Sequence, residues 1–296
     1  MLDKSWLNAP MRAAEFLIPA PEITRREDGT IYICDRHPLP PYPARVTEML
    51  VRYAQETPDT IFLADRKTGG EWRTITYAQM LERVRRLGQY LLDSGLSADR
   101  PLAILSGNDI EHASLSLAAI HVGIPSAAIS PAYSLMGGTY HRLRETLHAI
   151  TPGMVYAADA ATFAPAVRAV TPDAVFVADT AEHGAIPFPH LLETAPTAAV
   201  EEAHAAITPD TVAKFLFTSG STGSPKAVVN THGMISSNQV MTREGFAYFK
   251  SEPPVILDWA PWNHTAGGNK VFFMTMWNGG TLYIDAGRPT KADTWK

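Results

Sequence analysis

Apolar positions recur at helical spacing twice in the first third of the chain: Val46, Met49, Leu50 and Tyr53, then Tyr77, Met80, Leu81, Val84, Leu87, Gly88, Leu91 and Leu92. Both stretches predict amphipathic helices, and Thr76 stands where the second needs its N-terminal cap. Beyond Gly95, the apolar run 101–105 predicts a strand, 110–122 a helix stopped by Gly123, and 124–129 a second strand. Tyr140, Leu143, Leu147 and Ile150 then share one helix face, and the runs 154–157 and 174–178 predict strands on either side of a helix over 160–170. Four short strands without polar alternation, separated by helices, predict an α/β fold whose doubly wound, mainly parallel sheet is covered by helices on both faces.

Outside this alternation the pattern changes twice. Up to Tyr42 it is broken by Pro19, Pro21, Pro38, Pro40 and Pro41, and Asp28-Gly29 predicts a hairpin turn in an arm that wraps a larger body. Between His183 and Pro209, Ala, Pro, Glu and His dominate, which predicts a surface connection with one short helix. A new unit is expected from Asp210: strand 212–217, a glycine-rich turn, strand 227–230, a helix from His232, strand 255–259, a helix near Val271 ending at Asn278-Gly279-Gly280, and strand 281–284. The expected division is an arm and helix over 1–60, a first α/β subdomain over 61–205, and the start of a second over 206–296. No internal repeat or low-complexity tract interrupts it.

The composition fits a globular chain: 296 residues, 46% hydrophobic and 19% charged. A formal net charge of -5 argues against nucleic acid as the main partner. The lone Cys34 makes neither an intramolecular disulfide nor a structural zinc site, which fits a reducing, cytoplasmic setting. Charges and prolines break the N-terminal apolar stretches before signal-peptide length, and Ser, His, Gly and Pro interrupt the charge-free interval 113–141, which reads as buried core rather than a membrane span.

The segment Thr218-Ser219-Gly220-Ser221-Thr222-Gly223-Ser224-Pro225-Lys226 carries the most chemistry. A turn of small hydroxyl residues and glycines between two strands exposes several N–H and O–H donors to one anion, with a lysine as a point charge beside them. It reads as a phosphate cradle. It is not the ATPase and GTPase loop, because Pro225 and Ala227 stand where that loop needs a glycine and a magnesium-binding hydroxyl, and no G-x-G-x-x-G dinucleotide pattern is present.

With these residues the chain resembles the AMP-forming acyl-CoA synthetases, the superfamily of adenylate-forming ligases that also holds luciferases and peptide-synthetase adenylation domains. Thr76-Tyr77 and the run from Ala118 to Pro125 ending near Ser130-Pro131 look like that family's upstream motifs. The stretch Pro261-Trp262-Asn263-His264-Thr265-Ala266-Gly267-Gly268-Asn269 is similar to its histidine motif as seen in feruloyl-CoA synthetase-like members, and Trp277-Asn278-Gly279-Gly280-Thr281-Leu282 also fits. The chain departs from the pattern at Ala266 and Lys270, where a bulky aromatic and a histidine are expected, so the acyl pocket is expected to be wider or differently shaped.

The resemblance implies ligation in two steps: a carboxylic acid and ATP give an acyl-adenylate and pyrophosphate, and coenzyme A then displaces AMP, with Mg2+ arriving on the ATP. It implies that Thr218, Ser219, Ser221, Thr222 and Lys226 hold the β- and γ-phosphates while Gly220 and Gly223 admit the backbone. It further implies that His264 faces the carboxylate and that Trp262, Ala266 and Gly267 line the acyl site. On residue type alone, His264 reads as a turn histidine and Trp262 equally as core. The adenine, ribose, hinge and lid-lysine motifs of the family do not occur in these residues, so the chain is expected to match only the N-terminal half of the large domain, without the C-terminal lid, and to be inactive alone. Two other readings remain open: a non-catalytic nucleotide-binding remnant, and an adenylating enzyme with a different acyl acceptor.

Overall fold

The computed structural model describes residues 10, 13–66, 70–136, 138–218 and 225–285. The arm carries β1 (Pro21–Arg25) and β2 (Ile31–Asp35), an antiparallel hairpin turning at Asp28-Gly29 as expected, with every strand residue exposed. Its root is tied down by the Leu17 N–H donating to the Gly245 carbonyl and by Phe16, whose ring meets Phe246 and Tyr248 edge-on.

Next come α1 (Glu48–Glu56), β3 (Ile61–Asp65), β4 (Arg73–Thr76) and α2 (Tyr77–Asp93). Thr76 caps α2 through a capping box: its hydroxyl accepts from the Gln79 N–H and the Gln79 side chain accepts from the Thr76 N–H. Such a cap contributes about 1 kcal/mol. β4 buries only Ile75 and so leaves no hydrophobic pattern, whereas β3 is the short apolar run Ile61-Phe62-Leu63-Ala64 closed by Asp65.

The first sheet is built from β5 (Leu102–Ile104), α3 (Ile110–His121), β6 (Ser126–Ala128), α4 (Ala132–Leu135), α5 (His141–His148), β7 (Met154–Tyr156), α6 (Ala160–Val170) and β8 (Val175–Ala178). The four strands are mutually parallel, in the order β6-β5-β7-β8. Their side chains alternate between two cores: Leu102, Ile104, Met154, Tyr156 and Val177 face α2 and α3, whereas Ala103, Val155 and Phe176 face α5 and α6. Both faces are therefore dry, the condition that makes a strand read as an unbroken apolar run.

The 183–209 connection holds more structure than expected: β9 (Ile186–Pro187), α7 (Phe188–Leu191) and α8 (Ala198–Ala206). Phe188, Leu191 and Val200 are buried because they complete the core beside α2. After it come β10 (Val212–Thr218), β11 (Lys226–Thr231), α9 (His232–Gly245), a 3-10 turn (Ala247–Lys250), β12 (Val255–Asp258), a π-helical turn (Ala266–Val271), α10 (Phe272–Trp277) and β13 (Thr281–Ile284).

The sheets do not follow the division expected near residue 206. β10 pairs parallel to β6 and antiparallel to β11, so the first sheet runs β11-β10-β6-β5-β7-β8-β9. β3 and β4 leave the first half to join the second sheet, ordered β12-β13-β3-β4. Backbone pairing thus stitches the two halves of the chain together. Three distant histidines reinforce the seam. The His121 ring stacks on His204 at 3.9 Å, both lie 3.2 Å from the Thr47 hydroxyl, and His232 Nδ1 accepts from the Val46 N–H.

Candidate functional site

Thr218 and Lys226 are directly paired at one end of the antiparallel β10–β11 pair. Both residues are exposed. Ser219, Gly220, Ser221, Thr222 and Gly223 lie outside the described residues.

The histidine motif packs against the same two strands. After β12 the chain turns through Pro261-Trp262-Asn263-His264 and winds into the π-helical turn, a form that occurs mostly as single turns at functional sites. Gly267 and Gly268 permit that winding. A Cβ on Gly267 would lie 2.4 Å from the Ala260 carbonyl oxygen, and one on Gly268 2.1 Å from that of Trp262. His264 is exposed, and its Nδ1 accepts from the Ala266 N–H at 3.3 Å. Ala266 is exposed beside it, whereas Gly267 is buried. Trp262 is 4% exposed; its ring meets His112 at 5.0 Å and Phe272 at 4.8 Å, so it belongs to the core as well as to the motif.

Three residues that the sequence reading did not single out fix this turn. Asn108, after β5, accepts from the Trp262 N–H at 2.9 Å and donates to the Ala260 carbonyl at 2.9 Å. Asn230, on β11, accepts from the Asn269 side chain at 2.8 Å. Lys214, in the middle of β10, donates to the Gly268 carbonyl at 3.1 Å. Burial alone pulls the Lys214 ammonium down to about 8. The one usable signal in the sequence was a lysine in the otherwise apolar run Val212-Ala213-Lys214-Phe215-Leu216-Phe217. The two asparagines leave no such mark.

A cleft of about 630 Å³ opens at the carboxyl ends of β3, β5, β7 and β8, lined among others by Arg66, Asn108, Asp159 and Asp179. The carboxyl edge is where doubly wound sheets take ligands. Among the described residues, none of the site residues expected from the sequence lines this cleft, but Asn108 is shared between it and the histidine motif. Among the described residues no group of three or more His, Cys, Asp or Glu side chains is placed to hold a metal ion, and no helix is long and apolar enough to cross a membrane.

Comparison with known proteins gives a consistent result. The family model described as AMP-binding enzyme matches residues 50–296. The chain is 29% identical over 208 residues to nonribosomal peptide synthetase 5 of Gibberella zeae, covering 70% of this chain and 2% of the relative. It is 37% identical over 81 residues to carboxylic acid reductase of Mycobacterium tuberculosis, covering 26% of this chain and 6% of the relative. Among solved structures, VinN with 3-methylaspartate superposes with a TM-score of 0.65 at 20% identity, covering 82% of this chain and 62% of VinN. The fatty acyl-adenylate ligase from L. pneumophila, in complex with acyl adenylate and pyrophosphate, gives 0.64 at 17% identity, covering 81% of this chain and 39% of that one. The architecture described above is therefore that of the N-terminal domain of adenylate-forming ligases, and the chain spans less than two thirds of the length of these relatives.

Proposed function

Since the chain belongs to the AMP-binding enzyme family, we propose that it supplies the phosphate-gripping and acid-binding part of a feruloyl-CoA synthetase-like acid–thiol ligase. The acid's carboxylate oxygen attacks the α-phosphorus of ATP, the bond to the β-phosphate breaks, and pyrophosphate leaves. The thiolate of coenzyme A then attacks the acyl carbon, a thioester forms, and AMP departs. Both steps build charge on oxygens, so placed donors and cations carry the catalysis.

In this reading Thr218, the hydroxyls and amides of 219–223, and Lys226 hold the β- and γ-phosphates. His264 faces the acid's carboxylate, with Trp262, Ala266 and Gly267 beside the acyl chain. Magnesium enters as the counter-ion of ATP, and no residue of this chain is assigned to it. The observation that carries the reading is the double tie between the two segments. Lys214 on β10 and Asn230 on β11, the strands that lead into and out of the phosphate loop, both bond to the turn that follows His264. The turn after His264 is thereby held against the two strands that flank segment 219–224.

The test is exchange of labelled pyrophosphate into ATP by the intact protein, run over a panel of aromatic and aliphatic carboxylates, followed by thioester formation on adding coenzyme A. Acid-dependent exchange is the expected result. No exchange with any acid would remove the adenylating function. Exchange without thioester formation would retain adenylation and replace coenzyme A with another acceptor. The fatty acyl-adenylate ligase from L. pneumophila, solved with acyl adenylate and pyrophosphate, lends support to the adenylation half only.

A further inference from the structure

Every strand residue of the β1–β2 hairpin is exposed, so the two strands lean on no core. A two-stranded hairpin in that state is marginal in water. The pairing of Ile23 with Ile33 and of Arg25 with Ile31, together with the alternation of side chains along a strand, divides the hairpin into two faces. One carries Glu22, Thr24, Tyr32 and Cys34, and it is satisfied from within. The Arg26 guanidinium lies over the Tyr32 ring at 4.4 Å, and Arg36 comes within 3.9 Å of Glu22. The other carries Ile23, Ile31 and Ile33, which are 57%, 47% and 69% exposed. It has Pro21 and Asp35 at one end and Arg25 at the other.

Charge decides what this apolar face fits. Among the described residues Arg25 pairs with no carboxylate. Asp35 accepts the His37 N–H at 2.8 Å and the Ala20 N–H at 3.2 Å and meets the His37 ring at 2.6 Å. These bonds, the His37 N–H foremost, hold its carboxyl below the usual range, so it is an anion at neutral pH. An isoleucine centre is thus flanked by a cation at one end and an anion at the other, which makes the face its own complement. A second copy, turned over by a two-fold axis running across the strands, sets Ile23 and Ile33 on their counterparts and brings the Arg25 end of each copy to the Asp35 end of the other. Segment 21–36 carries three Arg against four Asp and Glu, so its charge does not draw it to an anionic lipid surface.

We propose that the Ile23, Ile31 and Ile33 face is a contact between two copies of this chain, with their arms packed face to face and their strands antiparallel across the two-fold axis. This contact is independent of the adenylating function. The face is small beside the roughly 800 Å² per partner of a stable interface, so the association is reversible and concentration-dependent.

Sedimentation velocity of the intact protein over a dilution series tests it, and a monomer–dimer equilibrium is the expected result. Ile33→Glu places a charge at the centre of the contact and should weaken association by at least about 10-fold. Arg25→Glu and Asp35→Lys each set like charges against one another and should do the same, by at least about 10-fold. Mixed in equal amounts, those two variants should recover association to within about 3-fold of the wild type, because each altered charge then meets its opposite on the other copy. That recovery separates loss of the contact from loss of the arm's fold. Thr24→Lys, on the other face, should leave association unchanged. A monomer at every concentration, a dimer indifferent to Ile33→Glu, or a mixture no tighter than either charge variant alone would each overturn the proposal.

Discussion

Two strand-borne cations, Arg73 at the start of β4 and Lys214 within β10, are handled in opposite ways. Arg73 reaches Asp65 through Nε at 2.8 Å and Nη2 at 2.6 Å, and its Nη2 also reaches Glu111 at 2.9 Å. Asp65 in turn accepts the Ile110 N–H at 3.0 Å, which anchors the start of α3. The Asp65 hydrogen bonds hold the guanidinium well above its ordinary range despite partial burial. Lys214 is more deeply buried and, among the described residues, has no such partner, only the Gly268 carbonyl. The first arrangement is complete as it stands and belongs to the scaffold. The second uses one of its three N–H donors, on the Gly268 carbonyl in the turn that follows His264. A buried cation whose donors exceed its acceptors calls for an explanation that a paired one does not.

Lys226 extends the comparison to an exposed cation, and its removal is expected to have the largest effect. Lys226→Ala should lower kcat/KM for ATP by about 100- to 1000-fold, the scale of losing one preorganised donor to a charged transition state, while the acid's KM changes little. Steady-state kinetics with each substrate varied in turn checks this, and unchanged ATP kinetics would remove Lys226 from the site. Next in size is the scaffold. Asp65→Ala leaves Arg73 half-paired and the Ile110 N–H without its acceptor, for a loss of about 3 kcal/mol in chemical unfolding. The solvent-facing side of Arg73 keeps the cost from rising higher. A loss below about 0.5 kcal/mol would show that the network is ornamental.

The buried histidines form a third arrangement, stable only while neutral. Burial first, then neighbouring His204 or Arg45, depresses His121 to about 2 and His204 and His232 to about 4 from the ordinary 6.5. The unfolded chain therefore binds protons before the folded one as pH falls. Their contribution is fully present above 6.5 and is lost progressively as pH falls toward 4 for His204 and His232 and on toward 2 for His121. Melting temperature should drop steeply over that window, and less so in His121→Leu. A flat profile between pH 7 and 5 would contradict neutral burial. The smallest effect is expected from Lys214→Met. It removes an unpaired buried charge but strands the Gly268 carbonyl, so stability should change by less than about 1 kcal/mol in either direction. A large loss would mean that Lys214 is scaffold after all.

Much of the first sheet could be read from the chain because strands buried on both faces and amphipathic helices leave opposite marks. The run 101–105 and the face through Tyr77, Val84 and Leu91 are clear cases. β4 was hidden because it buries only Ile75. The sharing of strands between the sheets was hidden because pairing of β3 with β13 joins residues more than two hundred positions apart, which no local pattern encodes. At the candidate site, Thr218, Lys226 and His264 were singled out through motif order. The histidine cluster was not, since His121, His204 and His232 share no spacing and meet only through the packing of α3, α8 and α9. The π-helical turn was likewise invisible, for its adjacent glycines signal a loop until the carbonyls of Ala260 and Trp262 are seen against them.

The central claim is that the segment 218–226 grips the phosphates of ATP. Hydrogen–deuterium exchange of the peptide covering that segment, with and without ATP, tests it most directly. Slowed exchange there on adding ATP, with the remote β1–β2 hairpin unaffected, is the predicted result. Saturating ATP that leaves the exchange of 218–226 unchanged would contradict the account.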